Sequence, residues 1–281
     1  MTRHVEGYFL GAAVGQIYWQ GWLPDGDADV VGVVVIAHGA AEHSGRYAHI
    51  GDRLASEGYA GYALDHRGHG RSEGVRANIN RMSEVVADLD QLIRHAEGRH
   101  EGKPLYLFGH SMGGLVALDY VTSPEITAHL RGLILSGVAV ETEVGSKAQR
   151  VLGKALSPVL PNLGVLKLDA TAVSRDPAVV ADYDTDPLNY RGKLCLRTGA
   201  EILEAAERVK SRLSTVELPI LVMHGTADRL TSPASSQLVA DRAGSRDITL
   251  TMYDGLYHEV FNEPEKDAVL SDVVEWLRAH A

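Results

Sequence analysis

The sequence holds a single cysteine, Cys195, so no disulfide can form within the chain and a disulfide-built secreted scaffold is excluded. That thiol sits among apolar neighbours in Lys193-Leu194-Cys195-Leu196, and it reads as a small buried hydrophobe rather than a catalytic thiolate. No uninterrupted apolar run reaches the roughly 18 residues a membrane-spanning helix needs. The opening segment MTRHVEGYFLGAAVGQIYW is broken by charge and glycine and has no cleavage site, so no signal peptide is expected. The expected location is cytoplasmic, or peripheral on a membrane or envelope. Basic residues are in deficit, with 27 Lys and Arg against 37 Asp and Glu. The resulting net charge of −10 argues against a nucleic-acid partner held by overall charge. Internal repeats and low-complexity segments are also missing. What is present is 45% hydrophobic and 23% charged over 281 residues, the composition of a globular protein with a sizeable core. The length suits one α/β domain carrying an insertion.

The order of elements is legible in the hydrophobic pattern. Tyr8–Leu10 and Gln16–Trp22 flank a glycine-bounded turn, Gly11–Gly15, and read as an antiparallel hairpin. Val30–Ala37 is an unbroken apolar run, mostly β-branched, of the kind a fully buried strand requires. Helical spacing over 47–57 and 82–97 alternates with apolar runs at Tyr59–Leu64 and Leu105–Phe108. A helix from Ser111, strands at Gly132–Leu135 and Ile220–Met223, a helix over 233–243, a strand at Ile248–Tyr253 and a C-terminal helix complete the rhythm. Strands alternating with helices indicate an α/β fold with a mostly parallel sheet covered on both faces. Ligands then bind beyond the carboxyl ends of the strands. The rhythm lapses between Val138 and Glu217. There Ala148, Val151, Leu152, Ala155, Leu156, Val159 and Leu160 share one helical stripe, with Lys147, Arg150 and Lys154 opposite, and a polar loop through Pro177 and Pro187 follows. The expected organisation is a core domain of 1–137 and 216–281 with an inserted helical cap, 138–215.

Gly109-His110-Ser111-Met112-Gly113 fits the nucleophile elbow G-x-S-x-G between a buried strand and a helix. Glycine two residues either side of the serine lets the chain turn sharply and leaves the hydroxyl exposed at a helix N-terminus, where N–H groups face developing negative charge. A serine hydroxyl needs a base, and along this fold the order is serine, acid, histidine. Asp228 follows the strand ending in Met223, and His258 follows the last strand, which places both at strand carboxyl ends. Asp254, on the histidine's own loop, is the rival acid and reads as a turn residue. His224, directly after a strand, is the rival base and reads as a support for the acid loop. The backbone N–H groups of Met112 and of Ala40, in His38-Gly39-Ala40, are the expected oxyanion donors. His66 and His69 lack acidic or cysteine partners at ligand spacing, so neither a metal nor a cofactor is expected.

These residues resemble the monoacylglycerol lipases, serine hydrolases of the α/β-hydrolase superfamily. The resemblance rests on the segments HGAAEHSGRY (38–47), DHRGHGRS (65–72) and GHSMGG (109–114), continues through LPNL (160–163) and YDTDPL (183–188) of the cap, and closes with GTADRL (225–230) and HEVFNE (258–263). It spans nearly the whole chain. The second and third segments recur across many α/β-hydrolases; the first and the cap segments are more specific. The resemblance implies cleavage of a monoacylglycerol to glycerol and a fatty acid, with a small-molecule lipid as partner and an acyl tunnel beneath the cap. It also implies a polar pocket for the glycerol head made by Glu42, Arg46, His110 and Tyr183. Glu42 and Arg46 equally suit a structural ion pair shaping the oxyanion loop, and both readings stand at this point. Arginine far outnumbers lysine, which fits a bacterial member, and the cap departs from the mammalian pattern, as in Arg197-Thr198-Gly199-Ala200. That leaves acyl-chain length open. The cap's apolar stripe fits packing on the core, or a lipid surface met by its exposed end and basic flank. A broader carboxylesterase, thioesterase or lysophospholipase, an acyltransferase, and a non-catalytic binder on this scaffold are the alternatives. A dehalogenase or epoxide hydrolase is disfavoured, because those families place an aspartate where Ser111 stands.

Overall fold

A computed structural model describes residues 2–13, 15–25, 30–124, 129–141 and 147–281, apart from the side chains of Lys147 and Arg150. The chain opens with an antiparallel pair, β1 (Thr2–Leu10) and β2 (Gln16–Pro24), followed by β3 (Gly32–Ala37), α1 (Ala48–Ser56) and β4 (Tyr59–Leu64). Then come α2 (Met82–Arg99), β5 (Leu105–His110), α3 (Met112–Val121) and β6 (Leu130–Ser136). The stretch after β6 contains α4 (Lys147–Leu156), β7 (Gly164–Lys167), α5 (Pro177–Thr185), β8 (Lys193–Cys195) and α6 (Leu196–Arg212). The chain closes with β9 (Ile220–Gly225), α7 (Pro233–Arg242), β10 (Ile248–Tyr253) and α8 (Lys266–Ala279). Eight strands form one sheet in the order β1-β2-β4-β3-β5-β6-β9-β10, parallel from β4 to β10.

Alternation of side chains along each strand divides the core into two layers. Val33, Val35 and Ala37 of β3 face one layer with α2, α3 and α6, while Val34 and Ile36 face the other with α1 and α8. Every residue of β3, β4, β5 and β9 is buried, which is why these strands read as unbroken apolar runs. β1 begins at Thr2, well before the expected Tyr8. It is an edge strand with only alternate residues partly covered, so Arg3, His4 and Glu6 obscure its pattern.

The stretch expected as a helical insertion holds more than helices. β7 and β8 pair as a short antiparallel ribbon. α5 replaces the expected polar loop around Pro177: the Asp176 side chain accepts from Ala178 N–H at 2.9 Å, and Pro177 occupies the first turn, where its missing N–H costs nothing. α6 buries Ala205, Ala206 and Val209 in the main core. Leu152, Val151 and Val159 are 59%, 62% and 76% exposed, so the apolar stripe of the α4 region does not pack on the core. Among the described residues no helix is long and apolar enough to cross a membrane.

Candidate active site

β5 ends in the elbow, and Ser111 sits at its apex with φ 53° and ψ −118°. For a residue with a Cβ this backbone costs on the order of 1–3 kcal/mol. It is held by Ser111 N–H donating to Ser136 O at 2.9 Å and by Ser111 O accepting from Leu115 N–H at 3.2 Å and Ala139 N–H at 3.3 Å. Both flanking glycines are demanded by close approach. A Cβ at Gly109 would lie 2.6 Å from Gly113 O, and one at Gly113 would lie 2.0 Å from Ala37 O.

The loops after β9 and β10 bring Asp228 and His258 together. His258 Nδ1–H donates to Asp228 Oδ2 at 2.7 Å, which leaves Nε2 on the opposite edge of the ring, in a residue that lines the same cavity as Ser111. Among the described residues no hydrogen bond yet joins Ser111 to His258; in a free enzyme such contacts often tighten only with substrate. The Asp228 side chain is fully buried and accepts four further hydrogen bonds. They come from Leu230 N–H (2.7 Å), Thr231 N–H (3.0 Å), the Thr231 hydroxyl (2.8 Å) and His224 Nε2–H (3.1 Å). Burial opposes the charge, but His258, His224 and these donors outweigh it and hold the carboxyl far below the usual range. Burial likewise lowers the basicity of His258, and the Asp228 carboxylate more than compensates, so its pKa lies above that of a free histidine. His224 accepts the Ser236 hydroxyl at 2.7 Å on its other nitrogen, as a support to the acid. Asp254 instead meets Thr226 at 3.2 Å, on a turn.

The segment expected to supply an oxyanion donor follows β3. Ala40 and Met112 both line the cavity, and among the described residues neither backbone N–H donates a hydrogen bond. Met112 is the first residue of α3, so its N–H has no partner within the helix. Glu42, His110 and Tyr183 also line the cavity, whereas Arg46 does not. Arg46 is instead bonded to Glu42 and Glu259, with its guanidinium 4.8 Å from the centre of the Tyr183 ring. His110 Nδ1–H donates to Ser136 O at 3.1 Å, and its ring lies 4.6 Å from that of His258. Thr231 and Glu259 escaped the reading of the sequence: threonine carries no catalytic signature, and Glu259 meets its partner 213 residues away.

The cavity measures about 1070 Å³, with Leu168, Val173, Leu194, Leu196, Ile202 and Leu203 among its walls. It is large enough for a lipid-sized molecule. His38, His66 and His69 cluster behind the oxyanion segment, and among the described residues no group has the geometry to hold a metal ion.

A family model described as serine aminopeptidase, S33, matches residues 28–265. The chain is 42% identical to the monoacylglycerol lipase of Mycolicibacterium smegmatis, covering 98% of this chain and 97% of that one. It is 34% identical to the monoglyceride lipase of Homo sapiens over 91% of this chain and 84% of the relative. Among solved structures it superposes on the Paleococcus ferrophilus monoacylglycerol lipase with a TM-score of 0.82, at 28% identity and full coverage of both chains.

Proposed function

The chain belongs to the monoacylglycerol lipase family of α/β-hydrolases, and from that premise we propose that it hydrolyses monoacylglycerols to glycerol and fatty acid with Ser111, His258 and Asp228 as its catalytic triad. The observation that carries the reading is the Asp228–His258 pair standing in one cavity with a serine on a strained elbow. His258 Nε2 takes the Ser111 proton as Oγ attacks the ester carbonyl, and the Asp228 carboxylate keeps the proton on Nδ1 and stabilises the imidazolium. Ala40 and Met112 N–H receive the oxyanion, each worth ~2.7–4 kcal/mol in the transition state. The imidazolium protonates the departing glycerol oxygen, and water repeats the sequence on the acyl-enzyme. No cofactor enters this scheme. The polar end of the cavity, with Glu42, His110 and Tyr183, suits the glycerol head, and the leucine-rich walls suit the acyl chain.

The cap, within 138–215, forms the upper wall, and its helix α4 is arranged inside-out for a water-facing element. Gln149, Gly153 and Lys154 line the cavity while Val151, Leu152 and Leu156 are exposed. With Val159, Leu160, Leu163 and Val165 they make an apolar surface suited to a lipid interface, where a poorly soluble substrate resides. Of the expected basic flank, Lys147 and Arg150 lie outside the described side chains. Replacing Val151 and Val159 by serine should reduce partitioning to vesicles while sparing hydrolysis of a short-chain, dissolved monoacylglycerol; unchanged partitioning would remove the lipid-surface role.

The decisive experiment compares hydrolysis of matched mono-, di- and triacylglycerols, with Ser111→Ala as control. The expected result is a strong preference for the monoester and a kcat loss of about 10⁶-fold in the variant. Equal turnover of the three glycerides would point to a general esterase, and turnover surviving in Ser111→Ala would remove the nucleophile assignment.

A further inference from the structure

Beside the triad lies a second set of charges, of which Glu42 and Glu259 line the cavity and Arg46 does not. Arg46 donates to Glu42 Oε2 at 2.8 Å and, in a two-pronged pair, to Glu259 Oε1 at 2.5 Å and Oε2 at 2.7 Å. The side chains of both carboxylates are only 3% exposed and that of the arginine 10%. Each carboxylate is anchored to a different half of the site. Glu42 Oε1 accepts from Gly39 N–H at 2.5 Å and from the Tyr47 hydroxyl at 2.8 Å, which fixes the peptide immediately before the Ala40 donor. Glu259 directly follows His258, its N–H donates to Val173 O at 2.9 Å, and Asn262 Nδ2 donates to its Oε2 at 2.8 Å.

We propose that Arg46 and Glu259 are positioning residues that clamp the loop carrying the His258 base to the loop carrying the oxyanion donor. The proposal rests on the hydrolase reading of the same site. Three charges in a site this dry are costly to desolvate, and an apolar contact would join the two loops as firmly. The ionic form adds what an apolar contact lacks, direction and field. A bidentate guanidinium–carboxylate pair fixes distance and angle together. Two carboxylates near the imidazole also favour the cation it becomes when it takes the serine proton. The groups facing His258 are Asp228, itself backed by His224, from the loop after β9; His110 from the elbow; Glu42 and Arg46 from the segment after β3; and Glu259 on its own loop. Burial opposes protonation of His258, Asp228 favours it most, and Glu259 and Glu42 add to that. Arg46 is absent from the cavity wall, so a direct hold on the glycerol head does not account for it.

The test uses the full chain with Glu259→Gln and Arg46→Lys, a short-chain monoacylglycerol at varied pH, and thermal unfolding to verify the fold. Glu259→Gln keeps shape and hydrogen bonding while losing the charge; Arg46→Lys keeps the charge and loses the two-pronged bridge, and serves alone if the glutamine variant does not fold. The expected result is a kcat about 10–100-fold lower in each, as for reacting groups displaced by a fraction of an ångström to an ångström, with KM within about twofold. In Glu259→Gln the acid limb of the rate profile should also move to lower pH. A KM raised tenfold or more at unchanged kcat overturns the proposal and gives both residues to substrate binding. An unmoved acid limb in Glu259→Gln, or wild-type kcat in Arg46→Lys, overturns it as well. If the wild-type chain turns over no ester, the hydrolase reading fails first and the clamp falls with it; wild-type activity with unaltered variants removes the clamp alone.

Discussion

Acid should destabilise this protein in a pH range where most carboxylates are still ionised, because several histidines are buried in the neutral form. His66 and His69 are fully buried in the cluster beside the oxyanion segment. Among the described residues, neither ring nitrogen of His66 nor Nε2 of His69 has a hydrogen-bond partner. Burial, reinforced for His66 by His69, pushes their pKa values down to about 3 and about 4. Their folded pKa lies below the unfolded value of about 6.5, so the unfolded chain takes up protons first. Stability is therefore intact above pH 6.5 and falls as pH drops from there toward the folded values. Each histidine removes about 1.4 kcal/mol per pH unit, hence about 2 kcal/mol by pH 5 and about 4 kcal/mol for the pair. His38 and His110, buried and lowered for the same first reason, steepen the fall. His258 does not offset it: its folded pKa is raised, so its contribution is fully present below 6.5 and is lost only as pH rises. Asp228, held low, loses stability only below about 3.8. Against a typical total of about 5–15 kcal/mol, the predicted loss is a large fraction. Urea unfolding followed by circular dichroism at pH 7.5, 6.5, 5.75 and 5 measures it, with His66→Leu expected to lose about 1.4 kcal/mol per pH unit of the slope. A stability flat from pH 7 to 5, or a His66→Leu slope equal to wild type, would falsify the assignment of these rings as neutral and buried.

Two further outcomes follow from the proposed triad. Asp228→Asn should lower kcat by about 10⁴-fold, because an amide can favour the wrong imidazole tautomer while keeping the loop's shape; hydrolysis within tenfold of wild type would contradict the role. If His258 is the base, the rate profile kcat/KM should fall on the acid side with an apparent pKa above 6.5, since the ring must be neutral to take a proton and its environment raises its pKa. A limb well below 6.5 would mean that a different group titrates.

How much of this was legible in the sequence depended on how local the cause was. The elbow was readable because the clash at Gly109 and Gly113 is made by backbone a few residues away or on the adjacent strand. That Asp228 and His258 would come together was readable from topology, because each follows a strand that is itself an unbroken apolar run or a clear alternation. The cap was harder. Pro177 looked like a loop residue, although Asp176 before it is a helix-capping signal. The ribbon of β7 and β8 is short and half-exposed, so it leaves no periodic trace. Periodicity found the apolar stripe of α4 but carries no information on which side faces the molecule, and the stripe faces out. The Arg46–Glu259 pair joins two distant segments. No spacing rule reaches that far, so Glu42 and Arg46 had two even readings until their partner was visible.

Ala41 ties the stretch expected as a cap to the segment proposed to supply an oxyanion donor. It sits at φ 66°, a left-handed conformation that costs a residue with a Cβ about 1–2 kcal/mol. Its carbonyl accepts from Tyr190 N–H at 2.9 Å and the Tyr183 hydroxyl at 3.4 Å, both from the cap, and its methyl packs with Ala77 and Leu194. Ala41→Gly would relieve that strain. It would also forfeit a buried methyl of about 0.8 kcal/mol and add about 0.5–1 kcal/mol of unfolded-chain entropy. These nearly cancel, so the melting temperature should stay within a few degrees of wild type. Ala41→Val should be severely destabilising, because a β-branched side chain is a true outlier at positive φ. The strain argument requires both outcomes. If valine were tolerated as well as glycine, the Ala41 peptide would have to turn out of its left-handed conformation, and the hydrogen bonds from Tyr183 and Tyr190 to its carbonyl would not be what holds the proposed Ala40 donor in place.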